Sequence, residues 1–135
     1  MKVFISHSAA DDDLARQVSE GLKASGFEVW DASAVLPGDN WGTKLGEALE
    51  ESDAMVVLLT KNSLKSPNVT SEVSFALGNP DYKGRIIPVL AAPPDEPPRD
   101  EVPWILAKFR MIQLTSSDHA IQGLQEIADA LKAAA

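Results

Sequence analysis

Short apolar runs alternate with amphipathic stretches from one end of the chain to the other. "KVFIS" (2–6) has the length and composition of a buried strand. It leads through Ser8, a helix cap by residue type, into a helix whose first turn carries Asp11, Asp12 and Asp13. Acids there favour the positive end of the helix dipole. Leu14, Val18 and Leu22 recur at helical spacing, and Gly26 ends the helix. "FEVW" (27–30) predicts a second strand, and 31–40 a loop with a Pro37-Gly38 turn. Trp41, Leu45, Ala48 and Leu49 predict a second helix. "AMVVLLT" (54–60) is apolar almost throughout, as in a strand covered on both faces. Ser66 as N-cap, Pro67 at the first helical position and Gly78 as C-cap frame a third helix. "RIIPVL" (85–90) and the weaker "RMIQL" (110–114) predict two more strands, and a last helix runs from about Asp118 with Ile121, Leu124, Ala128 and Leu131 on one face.

Five strands alternating with helices imply parallel pairing, right-handed crossovers and a three-layer α/β domain. The 135 residues suffice for one domain, 1–135, and not for two. The Pro-rich segment "AAPPDEPPRDEVP" (91–103) predicts a surface loop without regular structure rather than a domain boundary. The closing "KAAA" fits a true end or the cut edge of a longer protein.

Charge and composition narrow the function. The net charge is −8 with no basic cluster, which argues against nucleic acid and anionic lipid as partners. The chain has no cysteine, so disulfides and thiolate chemistry are excluded. The N-terminus carries acids where a secretory leader would be apolar, and no apolar run is long enough to span a bilayer. A cytoplasmic protein is the expectation.

Ligands of open parallel sheets bind beyond the carboxyl ends of the strands. "SHSAADDD", "DASAVLPGDNW", "TKNSLKSPN" and the Pro-rich segment converge there. From Ser66 to Pro80 the single ionisable residue is Glu72. It lies at the border of a stripe formed by Val69, Val73, Ala76 and Leu77, and helical geometry by itself reads it as a solvated residue. Several chemistries fall away. The first strand is followed by no glycine, so a phosphate-cradling loop is absent. The third strand runs into Thr60-Lys61-Asn62, where a phospho-acceptor receiver needs an aspartate. His7 and His119 show no ligand spacing for a metal. Ser6 and His7 are adjacent on a strand and so point to opposite faces, against a hydrolase triad.

"KVFISHSAADD" followed by "LPGDNWGTKLGEALEESDAMVVLLTKNSLKSPNVTSEVSFAL" resembles the Toll/interleukin receptor (TIR) domain family in its bacterial form. The resemblance rests on an opening strand motif, a Pro-Gly loop, a third strand and a Ser-rich turn leading to a glutamate, and it covers essentially the whole chain. It implies a flavodoxin-like five-stranded parallel sheet. It also implies one of two functions. Some members are adaptors that only self-associate. Others cleave the nicotinamide–ribose bond of NAD, taken as substrate and not as cofactor, to ADP-ribose or a cyclic isomer. The glutamate essential to the enzymes corresponds to Glu72. Ser6, His7 and Ser8 match the stretch lining the nucleotide pocket. Trp41 matches a loop aromatic that stacks on the ligand, and fits equally a core residue beside Leu45, Ala48 and Leu49. Ser66 matches a small polar position before the glutamate and is also a plain helix cap. Asn68 departs from the family: many active members have Trp there, and an amide can instead bind a ribose or phosphate. "PWILAKF" (103–109) stands where many animal members have a Phe-Trp pair, and Trp104 is expected in the core.

The enzyme is the favoured expectation, with an interaction domain as its rival. A nucleoside deoxyribosyltransferase-like enzyme, which shares architecture and glutamate, is a third reading. The resemblance further implies self-assembly with other TIR domains, a sensor module or downstream effector as partner, and a setting in bacterial antiphage immunity.

Overall fold

The computed structural model describes residues 1–30, 41–82, 85–91, 97, 99–109, 111–114 and 120–134. The expected 31–40 loop lies outside the described residues, as do His119 and the side chain of Trp41.

Five strands, β1 (Lys2–Ser6), β2 (Glu28–Trp30), β3 (Ala54–Leu59), β4 (Ile86–Leu90) and β5 (Ile112–Gln113), form one sheet in the order β2-β1-β3-β4-β5. Every pair is parallel, as the alternation predicted. The helices are α1 (Asp12–Ala24), α2 (Trp41–Glu51), α3 (Pro67–Gly78), α4 (Trp104–Ala107) and α5 (Ala120–Ala134).

Strand alternation sorts the core into two layers. Val3, Ile5, Val56, Leu58 and Val89 pack with Val18 and Leu22 of α1 and Ile127 and Leu131 of α5. Phe4, Met55, Val57, Leu59 and Leu90 pack with Ala48 and Leu49 of α2 and Val69, Val73 and Ala76 of α3. All six residues of β3 are buried, the reason its sequence shows no polar alternation. Gly26 closes α1 with φ +96°, a left-handed conformation that disfavours any side chain.

Pro88 sits inside β4, opposite Val57. The Ala91 amide donates to Leu59 and the Arg85 carbonyl accepts from Met55, so odd-numbered residues of β4 bond to β3. Even-numbered residues face β5, as the Leu114 amide bonded to the Leu90 carbonyl shows. The amide that proline lacks is therefore on the β5 side, where pairing begins only at Val89 with Ile112. Proline costs the central ladder nothing.

Tyr82 is fully buried, and its hydroxyl donates to the Leu49 carbonyl at 2.6 Å. That carbonyl is in the last turn of α2, and the Asp53 amide that could serve it donates to Lys2 instead. Burial first, and then the neighbouring Asp53 and Glu72 carboxylates, push the phenol up to about 12. Tyr82→Phe orphans the Leu49 carbonyl, with an expected loss of about 1–2 kcal/mol, read as a lower urea midpoint with an unchanged slope.

Four expectations need correction. α3 includes Gly78 and its C-cap is Asn79, one residue later than expected. The Pro-rich segment is not wholly irregular, because Arg99–Glu101 forms a 3-10 turn that Pro103 separates from α4. Trp104 is 69% exposed and outside the core. It opens α4, and the geometry of that short helix gives the inward position to Leu106, leaving Trp104 under the Lys108 ammonium at 4.6 Å. Finally, Leu77 is exposed while Glu72 is buried, at 8% exposure. Both border the stripe Val69–Val73–Ala76, and α3 is rotated so that the Glu72 border meets the sheet.

Candidate active site

The strand order reverses between β1 and β3: β2 is laid on one side of β1, and β3, β4 and β5 on the other. At such a switch point the two loops leave in opposite directions and open a crevice. Ser6 ends β1 there, and Thr60 follows β3.

α3 carries the carboxylate to this point. Ser66 accepts the Val69 amide at 3.4 Å and Pro67 opens the helix with no amide to satisfy. Glu72 falls in the second turn, over the end of β1. The Ser6 hydroxyl donates to Glu72 Oε1 at 2.8 Å, across 66 residues of sequence. Burial raises the Glu72 pKa above 4.5, opposed by the Ser6 hydrogen bond and then by His7. A carboxylate this covered has few competing dipoles, so its charge acts strongly on whatever stands beside it.

His7 follows the end of β1 and takes other hydrogen-bond partners. Its Nε2 is 2.9 Å from Asp12 Oδ1 and its Nδ1 3.3 Å from the Ile5 carbonyl. Ser6 and His7 thus serve different partners and form no triad. Ser8 caps the short turn 9–11 by accepting the Ala10 amide at 3.3 Å. Asn68 is exposed on the first turn of α3, and Ser66 acts at its cap. Trp41 opens α2. The structure therefore joins Ser6 directly to Glu72, sets His7 within electrostatic reach, and gives Ser8 and Ser66 backbone-capping bonds.

Sequence reasoning missed the brace beside the site. Asp11, 7% exposed, accepts from the Thr60 hydroxyl at 2.6 Å and from the Asn62 side-chain Nδ2 at 3.5 Å. Its carboxylate is committed across the crevice, which is why it does not cap α1. Thr60 and Ser63 exchange bonds: the Thr60 amide reaches Ser63 Oγ at 2.8 Å and the Ser63 amide reaches Thr60 Oγ1 at 3.0 Å. Three consecutive aspartates gave no signal as to which would turn inward. No group of three or more metal-binding side chains occurs among the described residues.

Comparisons with known proteins agree with this architecture. A 2' cyclic ADP-D-ribose synthase of Bacteroides thetaiotaomicron is 34% identical over 64 residues, covering 46% of this chain and 22% of that protein. The match thus spans less than a quarter of that relative. Among solved structures, the Toll-related receptor TRR-2 TIR domain of Hydra magnipapillata superposes with TM-score 0.74 at 17% identity, covering 96% of this chain and 97% of that one. A TIR-STING receptor of C. gigas gives TM-score 0.75 at 23% identity, over 96% of this chain and 38% of that one. A prokaryotic SEFIR domain gives 0.67 at 14% identity, over 96% and 97%. At these identities the structures speak for the fold. The family model of the TIR domain matches residues 3–128, nearly the whole chain, and the chain belongs to the TIR domain family.

Proposed function

We propose that this protein cleaves the nicotinamide–ribose bond of NAD, with Glu72 as the catalytic carboxylate. The observation that carries the reading is a buried glutamate at the switch point of the sheet, with its Oε1 anchored by Ser6. The partial match to a cyclic ADP-ribose synthase supports it.

The chemistry needs little more from the protein. When the ribose C1–nitrogen bond breaks, its electron pair moves onto the pyridinium nitrogen and nicotinamide leaves neutral. No acid is required for departure. The ribose becomes oxocarbenium-like, and an anion beside it stabilises the positive charge as it develops. Water adding at C1 gives ADP-ribose and releases a proton. A nucleophile within the same molecule closes a cyclic ADP-ribose. Activation by self-assembly and an antiphage setting, both implied by the family resemblance, are part of the same proposal. The rival reading of a homotypic interaction domain draws on the exposed Phe75, Leu77 and Trp104, apolar surface that an assembly would cover.

The test is an incubation of concentrated protein with NAD, with and without a crowding agent, resolved by chromatography. Nicotinamide is expected to appear with the parent protein and to vanish with Glu72→Ala. Equal release by both proteins would remove Glu72 from the chemistry. No release from the parent under either condition would favour the interaction domain.

A further inference from the structure

Ser6 is a polar residue that follows the buried apolar run Val3–Ile5, and nothing about strand packing calls for it. Its exposure is 0%, so a ligand in the crevice has no access to its hydroxyl. A serine hydroxyl carries one hydrogen, and this one is already given to Glu72 Oε1. Strand register places Ser6 opposite Val57 in the central pair β1–β3, so the donor is fixed by a strand ladder rather than by a loop. Glu72 is a flexible side chain with three rotatable bonds, and no other hydrogen bond to its carboxylate is formed by the described residues.

We infer that Ser6 acts on the reaction through Glu72, as a positioning residue that fixes Oε1, aims Oε2 into the crevice and favours the ionised carboxylate. The inference rests on the NAD-cleaving role of Glu72 and assigns Ser6 no contact with the nucleotide. Among the described residues, the groups facing that carboxylate are few. His7 approaches from the loop after β1 and Tyr82 from the turn after α3, while β3 presents no ionisable side chain from Ala54 to Leu59. Among the described residues, no ionisable side chain of α2 shifts its titration. Among the described residues, removing the Ser6 hydroxyl leaves burial opposed by His7 alone.

Ser6→Ala keeps the strand and deletes the donor. Loss of a hydrogen bond to a charged group predicts a fall in kcat of about tenfold or more, with KM nearly unchanged. The acid limb of the kcat profile moves to higher pH, because a carboxyl deprived of its donor needs a higher pH to ionise. Ser6→Thr, which keeps the hydroxyl, restores the limb. The Glu72 carboxyl, followed by carbon-13 NMR against pH in parent and Ser6→Ala protein, shifts in the same direction. This last measurement does not depend on turnover. If the parent shows no Glu72-dependent nicotinamide release but the titration shifts, the NAD reading fails and the coupling of Ser6 to Glu72 stands. If the parent is active and Ser6→Ala raises KM while leaving the acid limb and the titration in place, Ser6 contacts substrate and the inference is overturned. An unmoved titration overturns it in either case.

Discussion

Glu72→Gln is expected to fold more stably at neutral pH and, on the proposed reading, to lose most of the NAD cleavage. Both effects follow from one fact: a carboxylate at 8% exposure whose pKa burial raises above 4.5. The folded state then binds the Glu72 proton more tightly than the unfolded state does. Stability from this group is complete below the unfolded value and declines as pH rises through the folded one. At pH 7 the ionised side chain opposes folding, and glutamine, of equal shape and no charge, relieves that. The melting temperature of Glu72→Gln is expected above that of the parent at pH 7, and the gap closes as pH falls toward 4.5. In the proposed reaction the same substitution removes the charge that stabilises the ribose cation, with an expected loss of about 100- to 1,000-fold in kcat. A calorimetric pH series beside a nicotinamide assay measures both. A variant less stable than the parent at pH 7 would show that Glu72 is held as a structural anion. Gain of stability with loss of activity is the signature of a residue kept for chemistry.

The largest expected effect on stability belongs to Phe4. It is 1% exposed at the centre of the α2/α3 layer and stacks on Trp30 with centroids 5.2 Å apart and planes 9° from parallel. The stack ties β2 to β1 above the core, and two residues further on β1 delivers Ser6. Phe4→Ala removes the ring, opens a cavity that strands fixed on both sides cannot close, and frees one face of Trp30. The expected cost is about 3–5 kcal/mol, or roughly 10–20 °C in melting temperature for a domain of this size. Chemical denaturation with tryptophan fluorescence reads it, and Phe4→Leu is expected to recover more than half. A Phe4→Ala variant within 1 °C of the parent, an outcome well below the range above, would mean that this layer repacks freely.

Much of the architecture was legible because its signals are local. Continuous apolar runs marked β1, β3 and β4, helical spacing marked α1, α2 and α3, and Ser66-Pro67 marked where α3 begins. The candidate glutamate stood out by its solitude between Ser66 and Pro80. Its environment did not. Whether Glu72 or Leu77 faced the sheet depended on a rotation of α3 that the sheet sets, and a helical wheel treats the two borders alike. The inward turn of Asp11 likewise needs Thr60, 49 residues away. Trp104 was misjudged because a large aromatic is ordinarily buried. α4 has only four residues, too few to bury both Trp104 and Leu106 on one face.

The two outermost strands are brief: β2 has three residues and β5 two, the latter beginning only beyond Pro88. An unpaired strand is a template on which another chain can add its own backbone, and its length sets how firmly. Strands of three and two residues are too short to seed a growing ladder. Copies of this protein crowded together are thus steered away from fibrils of merged sheets.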